Sequence, residues 1–87
     1  MAFLGQIPEE VDALANEFGV KADEIDQLVA ALSAKLGSTT WTGADRDRFE
    51  ADWNGQLTSS LRGVSGALRD AQSVAKGNAE QQRTASA

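Results

Sequence analysis

Between residues 11 and 36, apolar side chains return at steps that alternate strictly between four and three: Val11, Ala15, Phe18, Ala22, Ile25, Val29, Leu32 and Leu36. That period is one face of an α-helix, and Leu14 and Leu28 widen the stripe. The single proline, Pro8, stands where the helix can begin, with φ already set, and Glu9, Glu10 and Asp12 complement the positive end of its dipole. Lys35 in the last turn and Gly37 just after it predict a stop, so the first arm spans about 8–36. Gly19 falls inside the stripe without breaking its phase, and costs about 1 kcal/mol relative to alanine there. A second stripe follows through Phe49, Trp53, Leu57, Leu61, Val64, Leu68, Ala71 and Ala75. Thr40 or Thr42 is its expected N-cap, and Asp45 and Asp47 lie in its first turn. The second arm therefore spans about 44–78. Residues 37–43 carry two glycines and four hydroxyl side chains around one tryptophan, a composition suited to a tight connection. The expected fold is all-α: an antiparallel two-helix hairpin filling residues 1–82 as one domain. Residues 83–87, small and polar, are expected to form a flexible tail.

A chain of 87 residues buries only roughly 60–65% of its unfolded surface, and without cysteine it has no disulfide to reinforce a marginal core. Two apolar stripes about 100–140° wide also exceed what one neighbouring helix covers. Dimerisation into a four-helix bundle follows as the expected solution, with two hairpins paired antiparallel. The residues expected to fill the hairpin and dimer core are Val11, Phe18, Ile25, Val29, Leu32, Leu36, Phe49, Trp53, Leu57, Leu61, Val64 and Leu68.

Histidine, cysteine and tyrosine are all absent, which removes the usual general base near neutral pH, the thiolate nucleophile and the favoured zinc ligands. No enzymatic activity, metal or cofactor is expected. The net charge of −5 disfavours nucleic acid and anionic lipid as partners. That charge is unevenly shared: residues 8–36 hold seven acids and two lysines, whereas residues 44–87 hold six acids and six bases. The N-terminal stretch Met1-Ala2-Phe3-Leu4-Gly5 has no basic region and too short an apolar run for a cleavable signal peptide. No apolar run approaches the ~20 residues of a membrane span, so stable membrane insertion is not expected.

In the connection, Trp41 is placed to fold over the end of the hairpin, and Gly43, lacking a Cβ, permits the backbone geometry of the reversal. Phe18, Phe49 and Trp53 stand at helical spacing and read as core. Asp45, Arg46, Asp47 and Arg48 read as a solvated face of i,i+3 and i,i+4 pairs. Glycines 55, 66 and 77 recur every eleven residues, nearly opposite Leu57 on the helix. They are either weakly helical outer positions or a smooth strip for close approach.

Trp41-Thr42-Gly43 between two amphipathic arms, followed by Phe49, Trp53, Leu57, Leu61 and Leu68, resembles the WXG (ESAT-like) family of small helical hairpins exported by the type VII (ESX) secretion systems of bacteria. The resemblance covers roughly residues 8–82. It implies a protein made in the bacterial cytoplasm and secreted as a folded dimer, without a cleavable signal peptide. Its partners would be a second copy or another WXG-type chain, and the secretion ATPase. Trp41 and Gly43 would form one half of a composite export signal. The other half in that family is a Tyr-x-x-x-Asp/Glu motif on the C-terminal part of the second helix. Here Val74 aligns with the tyrosine and Asn78 with the acid, so this half is degenerate. A partner then carries it, a degenerate version is read, or the chain is a retained accessory. The alternative function is a cytoplasmic chaperone or targeting adaptor that pairs with the helical N-terminal domain of a larger effector or toxin. A regulatory hairpin unrelated to secretion is the remaining reading.

Overall fold

The computed structural model describes residues 6–86. Residues 1–5 and Ala87 lie outside the described residues, and with them the N-terminal stretch read for a signal peptide and the last residue of the expected tail. The first arm is one helix, α1 (Pro8–Ser38), which starts from an extended Ile7 with proline at its first position. The Ile7 carbonyl accepts from the amides of Glu10 and Val11 at 3.0 and 3.1 Å. At its other end α1 runs through Gly37 rather than stopping there, and Gly43 is the one described glycine with positive φ. Hydroxyls end the helix instead: Ser38 Oγ and Thr39 Oγ1 donate to the Lys35 carbonyl at 3.2 and 2.6 Å, and Thr39 turns extended.

The second arm is continuous from Ala44 to Ser86 but not uniform. It comprises α2 (Ala44–Asp52), a five-residue π turn (Trp53–Leu57) and α3 (Thr58–Ser86). The Thr58 amide donates to the Trp53 carbonyl, a step of five residues that closes the wider turn. One extra residue in a turn rotates everything downstream by about 100°. In a regular helix Trp53, Leu57 and Val64 would share a face. In the structure Trp53 points into the hairpin, Leu57 and Val64 swing onto its flank at 42% and 50% exposure, and Thr58 and Ser65 take the inward positions.

The two arms pack side by side into a rod of 66 × 18 × 14 Å. The line of contact is narrow and built from small or polar side chains: Ala15, Ala22 and Val29 from α1, and Thr58, Ser65, Ala79 and Gln82 from α3. At Gly19 the side chain of Gln72 from the other arm lies close over the helix, since a Cβ there would stand 2.7 Å from Gln72 Nε2. Gly19 thus sits at the contact between the arms, within an unbroken helix. Among the expected core residues, Val29 and Trp53 are buried, and Val11, Phe18, Ile25, Leu36, Leu61 and Leu68 are half-buried. Leu32, Phe49, Leu57 and Val64 are exposed in the single hairpin.

Large apolar and charged side chains divide onto opposite flanks of the contact line. At 100° per residue, Leu14, Phe18, Ile25, Leu28 and Leu32 lie on one flank of α1, and Asp12, Asp23, Asp26 and Ser33 on the other. Asp26 and Ser33 line one groove together with Arg62 and Arg69, which fixes how the flanks of the two arms join. Among the described residues, ion pairs between the arms lie on the polar flank. Arg69 reaches Asp23 at 2.9 Å and Asp26 at 2.6 Å, and Arg83 reaches Asp12 at 2.5 Å. This last pair, with Ala79 and Gln82 buried, accompanies a helix that runs past its expected end near residue 78 and through residues 83–86, which were expected to belong to a flexible tail.

The hydrogen bond from Arg69 holds the Asp26 carboxyl below its ordinary value, with help from the Ser65 hydroxyl, and Asp26 in turn raises the Arg69 guanidinium. A carboxyl depressed by folding adds stability that is complete above its unfolded pKa, near 4, and is lost as pH falls through the folded value. Acidification from pH 5 to pH 2 is thus expected to lower the thermal midpoint more in the native sequence than in Asp26→Asn. Superimposable pH profiles of the two proteins in a circular dichroism melt would remove Asp26 from the clasp.

Candidate functional site

The turn end carries the densest grouping of large side chains. Trp41 meets Phe49 with ring centroids 6.1 Å apart and a tilt of 37°, and Phe49 stacks on Trp53 at 6.2 Å and 15°. Such offset aromatic pairs add about 0.5–1.5 kcal/mol beyond the area they bury. The innermost ring is anchored across the hairpin, because Trp53 Nε1 donates to Ser33 Oγ on α1 at 2.9 Å. Only the innermost ring is buried, Trp53 at 6% exposure, whereas Phe49 and Trp41 stand 41% and 39% exposed.

Two devices hold Trp41 in place. Gly43 adopts φ 118° and ψ −178°, a conformation open essentially to glycine alone, and its carbonyl accepts from the Asp47 amide at 3.1 Å as α2 begins. Gly43 itself is the N-cap residue, so neither Thr40 nor Thr42 serves as the expected cap. Arg46 supplies the second device. Its Nη1 donates to the Trp41 carbonyl at 3.0 Å, while Nε and Nη2 grip Glu50 Oε2 at 2.9 and 2.6 Å. Its side chain is only 19% exposed, so it is a brace of the turn rather than part of a freely solvated face. Arg48 and Asp45 do form such a loose surface pair, at 3.8 Å.

Beneath Trp41 lies an open cleft of about 220 Å³, lined by Leu32, Lys35, Leu36, Thr39, Trp41, Phe49 and Trp53. The cleft is almost wholly apolar and continues into the exposed flank formed by Leu14, Leu28, Leu32, Leu57 and Val64.

Val74 and Asn78 stand far from the turn, on α3, where both are exposed, Val74 at 63%. At 1.5 Å per residue roughly 45 Å of helix separates them from the turn end, so one hairpin cannot bring the two halves of a composite signal together. Ser33, Glu50 and the clasp residues Asp23, Asp26, Arg69 and Arg83 were not singled out from sequence; Arg46 was read only as part of a solvated face, and Asp12 only as a complement to the helix dipole. Only Arg46 and Glu50 left a local signal, their spacing of four.

Among the described residues there is no group of three or more His, Cys, Asp or Glu placed to hold a metal. No described helix is long and apolar enough to cross a membrane. No protein-family model, curated protein or solved structure matches this chain.

Proposed function

We propose that this chain is a non-enzymatic binding protein of the WXG type, a type VII secretion substrate or co-secreted partner. It folds in the bacterial cytoplasm, pairs through its apolar flank into a four-helix bundle, and leaves the cell without a cleaved leader. The observation that carries this reading is the placement of Trp41. A tryptophan 39% exposed, at the tip of a hairpin, held by a glycine-only backbone conformation and an arginine brace, is built to be touched from outside. Tryptophan is also the residue type most enriched where a few side chains dominate binding energy. Trp41 and Gly43 are then the turn half of the export signal, read by the secretion ATPase.

Trp41→Ala is expected to cut export by roughly tenfold or more while helicity stays unchanged. The measurement is the secreted fraction against cell lysis, paired with circular dichroism of the purified variant. Equal losses of export and helicity would make Trp41 purely structural, and export that survives deletion of the ATPase would overturn the reading altogether.

A second reading, the cytoplasmic chaperone or targeting adaptor, is favoured by the other end of the molecule. Val74 and Asn78 offer neither ring nor acid where that family places them, so the chain would be a retained accessory, or a partner would bring that half of the signal, unless the degenerate version is read. Retention of this chain in the cytoplasm while its partner is exported would select the adaptor.

A further inference from the structure

The cleft under Trp41 is open at the turn end, and the most apolar segment outside the described residues, Met1-Ala2-Phe3-Leu4-Gly5, leads into the opposite end of the rod. Gln6 lies beside Asn78, Gln81, Gln82 and Ala85. Along α1, roughly 45 Å separates Gln6 from Leu36 in the cleft, at 1.5 Å per residue. Five residues span at most about 17 Å even when fully extended, so this segment cannot reach the cleft of its own chain. A second copy removes the obstacle. In an antiparallel pair of hairpins packed face to face about a two-fold axis, α1 lies against its own counterpart with the ends exchanged. The N-terminus of one α1 then arrives at the C-terminus of the other, where Leu32, Leu36 and Phe49 line the cleft.

We propose that Phe3 and Leu4 of one copy fill the cleft beneath Trp41 of a second copy, so that each recognition end is built from both chains. The inference rests on the four-helix-bundle pairing proposed above, taken in the antiparallel sense expected from sequence, and names its contact. The chemistry matches: two large apolar side chains meet a cleft that is almost wholly apolar. Ile7, 50% exposed, adds a further apolar side chain just before the start of α1.

Because the chain contains no cysteine, full-length Leu4→Cys/Lys35→Cys carries only the two thiols of interest. Mild oxidation is expected to cross-link it as a dimer, with a yield at least roughly tenfold above that of Leu4→Cys/Asn16→Cys, whose second thiol lies on the polar flank. Disulfide formation needs Cα atoms closer than about 7 Å, so the yield reads proximity. Independently, Phe3→Asp/Leu4→Asp is expected to shift tryptophan emission to the red and to weaken dimerisation roughly tenfold or more, with helicity retained. Native mass spectrometry separates the possible failures. A dimer with equal yields from both cysteine pairs and unmoved emission overturns this inference and leaves the dimer standing. A chain that stays monomeric overturns the dimer, and the inference with it.

Discussion

Aspartate introduced at positions 28 and 64 is expected to leave the protein helical but monomeric at micromolar concentration. Leu28 and Val64 stand 45% and 50% exposed on the same flank, one on each arm, so neither change disturbs the contact between the arms. In a two-fold dimer every substitution occurs twice, and four apolar side chains are lost from the interface. At about 1.5 kcal/mol or more for each, the loss is about 6 kcal/mol, or some four orders of magnitude in affinity, before the desolvation of the carboxylates is counted. Sedimentation equilibrium or native mass spectrometry of Leu28→Asp/Val64→Asp measures it directly. A variant that remains dimeric would place the interface elsewhere, and the polar groove beside Arg62 would be the next surface to test.

Removal of Trp53 is expected to have the largest effect on the hairpin itself. Its ring is the one large apolar side chain buried among the described residues, it stacks on Phe49, and it hydrogen-bonds across to Ser33. Truncation of a buried aromatic to alanine costs about 3–5 kcal/mol. In a domain of this size that corresponds to a fall of about 15 °C or more in the thermal midpoint. Trp53→Phe keeps most of the packing and forfeits only the Ser33 hydrogen bond, at about 1 kcal/mol. Melts followed by circular dichroism should therefore rank native, Trp53→Phe and Trp53→Ala in that order. Indistinguishable midpoints for the last two would mean that the hydrogen bond, not the ring, joins the arms. The contrast with Trp41→Ala is informative, because one tryptophan is placed to hold the hairpin and the other to face outward.

The two arms and their antiparallel arrangement were legible in the sequence because helical periodicity is a local signal, carried by each stripe independently. The turn was legible for the same reason, through Gly43 and Trp41. The π turn was not. Trp53, Leu57, Leu61 and Val64 keep the spacing of a regular helix, and nothing in Trp53-Asn54-Gly55-Gln56-Leu57 beyond a weakly helical glycine announces an extra residue in the turn. Its effect is global, since it trades Leu57 and Val64 for Thr58 and Ser65 at the contact line. The close approach at Gly19 is equally nonlocal, because it depends on Gln72 from the other arm. The clasps formed by Asp12, Asp23 and Asp26 with Arg69 and Arg83 had only a diffuse signature, an acidic first arm facing a second arm with all the arginines. Helix ends followed side-chain chemistry finer than composition: the hydroxyls of Ser38 and Thr39 ended α1 after Gly37, and Arg83, paired with Asp12, accompanied a helix that continued into the expected tail.

No large side chain is completely buried anywhere among the described residues, and the rod is only 14 Å across its thinnest dimension. A layer that thin has two sides and almost no inside. In the proposed pair, the second molecule covers the apolar flank that a single hairpin leaves exposed, so association would add to the stability of a chain that is already helical. The transition midpoint would then rise with protein concentration, as mass action requires. The denaturant slope would grow with the area hidden in the pair. For the cell, such coupling would tie the lifetime of each chain to the supply of its partner.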